Sequence, residues 1–198
     1  MSEKKRGRII LTSRGLTGRS GFEMIKGALK RDNLPAKKIA LIYEPYFSIE
    51  EKLKICCRML GFLEKNIYLC GPSFEPEKLL EMDYIYVTEG NTFEVLNRMR
   101  RHALCDYVKE AVLGGAVYIG ASAGAIIAGN EITPALSMDL NFVQMKEEEM
   151  KGLGLFDGVV FPHTEPEKRK ECAEAFGEKA KCWKEIISVD NEEIIIME

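Results

Sequence analysis

Short apolar runs alternate with longer amphipathic stretches along most of this chain, and the alternation limits the folds open to it. Brief runs rich in Ile, Val and Tyr predict buried strands at residues 8–12, 38–43, 66–70, 84–88 and 116–120. Apolar residues spaced three and four apart predict helices at residues 21–30, 49–63, 75–81 and 92–113. Repeated strand–helix units favour right-handed crossovers. We therefore predict an α/β fold, a mostly parallel sheet with helices on both faces.

The ends of the helices and the last third of the chain complete this prediction. Ser48 is a plausible helix start, and Gly114-Gly115 a plausible helix stop. The pattern is lost over residues 131–149, a long irregular segment of a kind that is often functional. It returns as a strand at 159–161, a helix at 166–180, and strands at 185–189 and 193–197. Asp190-Asn191 predicts a hairpin turn between the last two strands.

Composition excludes several classes of protein. The chain has 198 residues, 46% of them hydrophobic, which suits one domain over residues 1–198. A net charge of −3 offers no general attraction to nucleic acid or an anionic membrane. No signal peptide and no apolar run of about 18 residues occurs, so we expect a cytoplasmic protein without a membrane span. The six cysteines show no C-x-x-C pair and no histidine at ligand spacing, so we expect reduced thiols rather than a disulfide or zinc site.

The sharpest local motif is Gly120-Ala121-Ser122-Ala123-Gly124, which follows a predicted strand and precedes an apolar, helix-like run. This G-x-S-x-G pattern is typical of a nucleophile elbow, a strained turn that lifts a serine hydroxyl above the sheet. The neighbours of Ser122 are all small, as such a turn requires. The backbone N–H of Ala123, at the start of the helix, is placed to stabilise an oxyanion. The same turn could instead serve tight packing or phosphate binding.

A serine nucleophile needs a base, and the chain has two histidines. His163 follows a predicted strand and Pro162, at the sheet edge where α/β proteins place catalytic groups. His102 lies in a predicted helix and is interpreted as a surface residue. A carboxylate should fix the histidine tautomer. We favour Asp139, which lies between Ser122 and His163 in sequence, over three other acids, namely Glu131, Glu165 and Asp190.

The second oxyanion donor should come from residues 88–92, between a strand and a helix. Gly90 permits close backbone approach, and Gly90 and Asn91 are the candidate oxyanion or substrate-binding residues of this segment. Asn91 or Thr92 can also cap the helix. An ordinary capped strand-to-helix turn explains the same residues equally well.

Taken in order, Gly90-Asn91-Thr92-Phe93, residues 120–125 and Pro162-His163 resemble peptidase family S51. The resemblance implies a fold similar to class I glutamine amidotransferases, with a serine in place of the cysteine nucleophile. It implies Ser122 as nucleophile, His163 as base, oxyanion donors at Gly90 and Ala123, and an acid located as Asp139 is. Peptidase E-like members remove an N-terminal aspartate from short peptides, without a metal or organic cofactor. A short peptide substrate is therefore expected, while the oligomeric state is left open.

One residue departs from the family pattern. Glu89 stands where the family usually has a glycine, and a carboxylate aimed inward would oppose the negative charge on an oxyanion. It either points to solvent, marks a different substrate, or pairs with a substrate's α-ammonium group. For aspartyl specificity the site needs a cation, for which the sequence offers Arg14, Arg98 and Lys168. Two other functions stay open: an esterase or amidase acting on a non-peptide substrate, and a non-catalytic binding protein.

Overall fold

Strands and helices alternate along the backbone much as predicted. The computed structural model describes residues 6–44 and 49–198, and within them it has eight β-strands and six α-helices. The strands are β1 (Ile9–Thr12), β2 (Ile39–Ile42), β3 (Ile67–Leu69), β4 (Tyr84–Val87), β5 (Val117–Ala121), β6 (Gly158–Pro162), β7 (Glu185–Val189) and β8 (Ile194–Met197). The helices are α1 (Arg19–Ala28), α2 (Ile49–Leu60), α3 (Thr92–Arg101), α4 (Leu104–Leu113), α5 (Ala123–Ala128) and α6 (Arg169–Glu174).

Six of the strands form a central sheet in the order β3-β2-β4-β5-β1-β8. Strands β1 to β5 are parallel, and β8 joins the edge antiparallel to β1. Strands β6 and β7 pair in parallel as a separate two-stranded sheet.

Two apolar cores cover the two faces of the central sheet. Side chains alternate along each strand, so Ile10 packs with α1 and α2, whereas Ile9 and Leu11 pack with α3, α4 and α5. The predicted α/β fold, with a mostly parallel sheet and helices on both faces, is confirmed. No helix among the described residues is long and apolar enough to cross a membrane.

The two closing strands form where predicted, but they do not pair with each other as a hairpin. Strand β7 pairs with β6, whereas β8 pairs with β1 in the central sheet. Because β7 and β8 belong to different sheets, the Asp190-Asn191 turn between them connects the two sheets. Its residues consequently reach the end of β6, where His163 lies.

Three predicted helices differ in detail. The stretch at 92–113 is broken by Ala103, whose φ of 53° lies in the left-handed region that ends a helix. The stretch at 75–81 is a 3₁₀ helix, Pro76–Glu81. The stretch at 166–180 is interrupted by Gly177 at φ 58°. The predicted start at Ser48 lies outside the described residues.

The candidate site is positioned by three neighbouring parallel strands, β4, β5 and β1, whose carboxyl ends meet at one edge of the sheet. Hydrogen bonds tie these ends together. The Ser122 N–H donates to the Thr12 carbonyl at 2.8 Å, and the Gly124 N–H donates to the Thr88 carbonyl at 3.2 Å. Ligand-binding groups at these strand ends therefore share one rigid edge.

Candidate active site

Ser122 lies on a strained turn between β5 and α5. Its φ of 49° and ψ of −104° are unusual for a residue with a Cβ, and such strain is found mainly at functional sites. The turn is possible because a neighbour is glycine: a Cβ on Gly124 would lie 2.2 Å from the Val87 carbonyl oxygen. The local geometry is that of the predicted nucleophile elbow.

His163 faces Ser122, with Nε2 3.0 Å from the serine Oγ. It follows β6 and has φ 56°, a second strained residue at the site. Its backbone N–H donates to the Ser13 hydroxyl at 2.8 Å, and that hydroxyl donates to the Val189 carbonyl at 2.6 Å. Ser13 is buried. The Ser13 hydroxyl thus joins the ends of β1, β6 and β7, and it holds the His163 loop against β1.

The other ring nitrogen of His163 contacts Asn191, which the sequence did not suggest for this role. Nδ1 lies 2.7 Å from Asn191 Oδ1. A carbonyl oxygen only accepts, so this contact favours the tautomer with the proton on Nδ1, in which Nε2 can accept from the serine hydroxyl. The carboxylate of Asp190 accepts from the Asn191 N–H and steadies this residue. The only sequence signal was the Asp190-Asn191 turn.

Asp139 lies elsewhere, and the structure does not bring it to His163. Its Oδ2 accepts from the Thr92 N–H at 2.9 Å and from the Thr92 hydroxyl at 2.6 Å. A carboxylate is favourable there, because the N-terminus of α3 presents unpaired N–H groups and positive partial charge. Asp139 therefore stabilises the start of α3.

The other acids considered from the sequence also have partners of their own. Glu131 binds the Trp183 indole N–H and forms an ion pair with Lys179. Glu165 pairs with Lys168 at 2.8 Å. The position beside His163 Nδ1 is held by an amide rather than by any of them.

The loop after β4 contains the predicted oxyanion donor. Gly90 has φ +142°, a conformation that side chains rarely adopt, so glycine is required there. Asn91 instead caps α3: its Oδ1 accepts from the Phe93 and Glu94 N–H groups, at 3.1 and 3.2 Å. Its amide nitrogen donates to the Leu140 carbonyl at 2.8 Å. Since Oδ1 and the amide nitrogen both bind backbone groups, Asn91 is a structural residue of the loop.

Ser122 and His163 line a cleft of about 280 Å³ together with Arg14 and Glu89. This volume is just below the range of about 300–1,000 Å³ that is usual for drug-sized ligands, which suits a small substrate. A larger cavity, about 730 Å³, lies between α6 and β7, but neither Ser122 nor His163 lines it. The smaller cleft is the candidate site because it holds the reactive groups.

Of the three cations considered from the sequence, only Arg14 lines this cleft. Lys168 is engaged with Glu165. Arg98 packs over the Tyr43 ring, 5.1 Å from its centroid, and donates to the Cys70 carbonyl at 3.2 Å. Among residues 6–44 and 49–198, no group of three or more His, Cys, Asp and Glu side chains is arranged to bind a metal.

Comparison with known proteins shows the class of protein to which this chain is similar. The profile of peptidase family S51 matches residues 72–198. An uncharacterised peptidase of Listeria monocytogenes, Lmo0363, is 31% identical over 140 residues, which cover 70% of this chain and 68% of that protein. Peptidase E of Haemophilus influenzae KW20 Rd is 34% identical over 132 residues, which cover 64% of this chain and 58% of the relative.

Solved structures agree with the sequence comparison. A crystal structure from L. monocytogenes EGD-e, of a protein provisionally named a peptidase E, superposes with a TM-score of 0.72 and 25% identity. The superposition covers 98% of this chain and 95% of that one. The fold and the relatives define a peptidase, a hydrolase of peptide bonds. The chain belongs to peptidase family S51, and the resemblance found in the sequence is confirmed.

Proposed function

We propose that this protein is a serine-type peptidase that hydrolyses short peptides, and specifically a dipeptidase that prefers an N-terminal aspartate. The observation that carries the proposal is the 3.0 Å contact between Ser122 Oγ and His163 Nε2, with the serine on a strained strand-to-helix turn. A serine hydroxyl is a weak nucleophile until a base accepts its proton, and this contact supplies the base.

In the proposed mechanism, Ser122 attacks the scissile carbonyl while its proton passes to His163 Nε2. The tetrahedral intermediate collapses, the C–N bond breaks, and His163 returns the proton to the leaving amine. Water then hydrolyses the acyl-enzyme with His163 again as the base. The product acid leaves, and Ser122 regains its proton.

The backbone amides of Gly90 and Ala123 are the proposed oxyanion donors. Gly90 lies on the loop after β4 and Ala123 is the first residue of α5, so both lie at the strand ends that surround Ser122. The first N–H groups of a helix have no partner within it, which leaves the Ala123 amide available. Fixed donors of this kind stabilise developing charge without reorganising.

We assign to Asn191 the role of orienting His163, which an acid has in a Ser-His-acid triad. Its Oδ1 accepts from Nδ1 and selects the tautomer in which Nε2 can act as a base. Being neutral, it stabilises the imidazolium less than a carboxylate would. Amides serve in this position in papain-like proteases, so the substitution is compatible with catalysis.

Arg14 is the proposed recognition group for the aspartate side chain. It lines the cleft beside Ser122, and among the described residues its side chain forms no ion pair. A guanidinium matches a carboxylate with two parallel hydrogen bonds. Replacement of Arg14 by methionine should therefore remove the preference for Asp over Ala at the N-terminal position.

The test is release of the N-terminal residue from Asp-Leu, Asp-Ala, Ala-Ala, Glu-Leu and Lys-Leu. We expect cleavage of the Asp peptides by the native chain and none by Ser122→Ala. Ser137→Ala, which removes an exposed hydroxyl distant in sequence from the elbow, is the matched control and should retain activity. A fluorophosphonate probe should label native protein but not Ser122→Ala. Labelling without cleavage of any peptide would favour the esterase or amidase alternative, and absence of both would refute the proposal.

A further inference from the structure

Glu89 places a carboxylate in the cleft beside the reactive serine, and it does not point freely to solvent. Its Oε1 accepts from the Thr17 hydroxyl at 2.7 Å, and its Oε2 accepts from the Tyr86 hydroxyl at 3.0 Å. The side chain is half-buried. A third hydroxyl, that of Thr88, donates to Oε2 at 3.4 Å. Hydroxyl groups thus hold both carboxylate oxygens in place.

The surroundings of Glu89 are fitted to this conformation. Tyr86 is fully buried, and its hydroxyl accepts from the Leu16 N–H at 3.0 Å, which directs the phenolic proton towards Glu89. Burial, and then the charge of Glu89, raise the pKa of Tyr86 well above its usual range, so the proton stays in place. A Cβ on Gly15 would lie 1.5 Å from Glu89 Oε2, so only glycine at that position leaves room for the carboxylate.

The negative charge of Glu89 is not neutralised by the protein. Its three hydrogen-bond donors, the hydroxyls of Thr17, Tyr86 and Thr88, are all neutral. In the part of the chain that the structure describes, no Lys, Arg or His forms an ion pair with it. Glu89 directly precedes Gly90 of the oxyanion loop, so an unpaired charge here would oppose the oxyanion. A cation bound in the cleft would cancel that opposition.

We propose that Glu89 is a specificity-determining residue that binds the free α-ammonium group of a substrate's N-terminal residue. In that residue the ammonium nitrogen lies about 2.5 Å from the scissile carbonyl carbon, one Cα away. A group that binds it must therefore sit beside the nucleophile and the oxyanion loop, as Glu89 does. Glu89 therefore selects against peptides whose N-terminus is blocked. This inference rests on the proposed peptidase function and names the group that reads the peptide end.

Binding, measured separately from turnover, tests the inference. In full-length Ser122→Ala protein, isothermal titration calorimetry would compare Asp-Leu with N-acetyl-Asp-Leu. We expect acetylation to weaken binding about 10- to 100-fold, the usual worth of a charged hydrogen bond. Adding Glu89→Gln should weaken Asp-Leu to a similar extent and leave the acetylated peptide unchanged. Glu148→Gln makes the same charge change at an exposed position outside the cleft and should alter neither affinity.

Equal affinities for the two peptides, or an unchanged Asp-Leu affinity after Glu89→Gln, would overturn the inference. So would a failure of Asp-Leu to bind at all. Thermal unfolding would show that each variant is folded, and Glu89→Asp, which keeps the charge, should retain part of the preference. Hydrolysis by the native chain is scored separately. If the native chain cleaves Asp-Leu but Glu89→Gln does not weaken Asp-Leu binding, the peptidase proposal stands and this inference fails. If Asp-Leu binding depends on Glu89 but no peptide is cleaved, only the peptidase proposal is refuted.

Discussion

Asn191 Oδ1 lies 2.7 Å from His163 Nδ1, and this amide occupies the position in which a serine hydrolase usually has a carboxylate. The contact joins the loop after β7 to the loop after β6, two strands that pair in parallel. The orientation of the base therefore depends on the two-stranded sheet, whereas the nucleophile belongs to the central sheet.

Replacing Asn191 by leucine should lower kcat about 10- to 100-fold, because a hydrogen bond to the charged imidazolium is worth about 1.5–3 kcal/mol. Asn191→Asp should retain turnover and move the acidic limb of the pH–rate profile to higher pH, since a carboxylate favours the protonated ring. Steady-state kinetics from about pH 5 to about pH 9 would measure both effects. An unchanged kcat in Asn191→Leu would exclude Asn191 as the orienting residue.

Asp139→Ala separates the structural from the catalytic interpretation of that residue. Loss of its bonds to Thr92 should lower the free energy of unfolding by about 1 kcal/mol, as the loss of a helix cap does. Turnover should fall only a few-fold. A triad acid would behave otherwise, with a loss of about 10⁴ in kcat. Urea denaturation and dipeptide hydrolysis on the same protein distinguish the two.

Local patterns predicted the parts of the site that lie within single strand–helix units. Ser122 and the glycines around it form one continuous motif, and His163 directly follows a recognisable strand. These residues need no knowledge of how distant strands pair. The same holds for Gly90, whose positive φ is a property of one turn.

The partner of His163 could not be found in this way, because it depends on which strands pair. The sequence predicts β7 as a strand but does not show which strand it pairs with. The predicted hairpin between β7 and β8 was wrong, and it gave no sign that Asn191 lies near His163. Asp139 was misplaced for a similar reason. Its contact with Thr92 spans 47 residues, and a capping carboxylate so distant in sequence leaves no local signal.

Two glycine replacements should have opposite effects on stability. Gly124→Ala forces a Cβ to within 2.2 Å of the rigid Val87 carbonyl and should lower the free energy of unfolding by about 3 kcal/mol. Gly27→Ala, in α1, meets no atom within 4 Å and should raise it by about 0.5–1 kcal/mol. Chemical denaturation of both variants measures the pair. Equal effects would mean that the elbow has more room than the structure indicates.

Ser13→Ala should damage both stability and activity. It leaves the His163 N–H without its partner, at about 1–3 kcal/mol for an unsatisfied group. It also removes one of the two hydrogen bonds to the buried Val189 carbonyl, which still accepts from the Thr164 N–H at 3.2 Å. The loss should lower kcat as well, since the His163 loop is no longer held to β1. Ser137→Ala removes an exposed hydroxyl with one backbone bond and should change the unfolding free energy by less than about 0.5 kcal/mol. A stable Ser13→Ala protein with native kcat would show that the hydroxyl does not position His163.

The cysteines should differ sharply in reactivity, because the thiolate is the reactive form. Burial raises the pKa of the Cys57 thiol to about 12, and that of Cys70 likewise to about 12, from an ordinary value of 9.0. Iodoacetamide at pH 8 should therefore modify the exposed Cys182 in native protein and reach Cys57 and Cys70 only after unfolding. Since the folded-state pKa values are raised, the stability that these thiols contribute is complete below pH 9.0 and is lost progressively as the pH rises towards 12. The urea midpoint should accordingly fall over that range. When each protein's midpoint is expressed relative to its own value at pH 8, the decline should be smaller in the variant with both cysteines replaced by alanine. Rapid modification of Cys57 in native protein would show that the core around α2 opens far more readily than its packing implies.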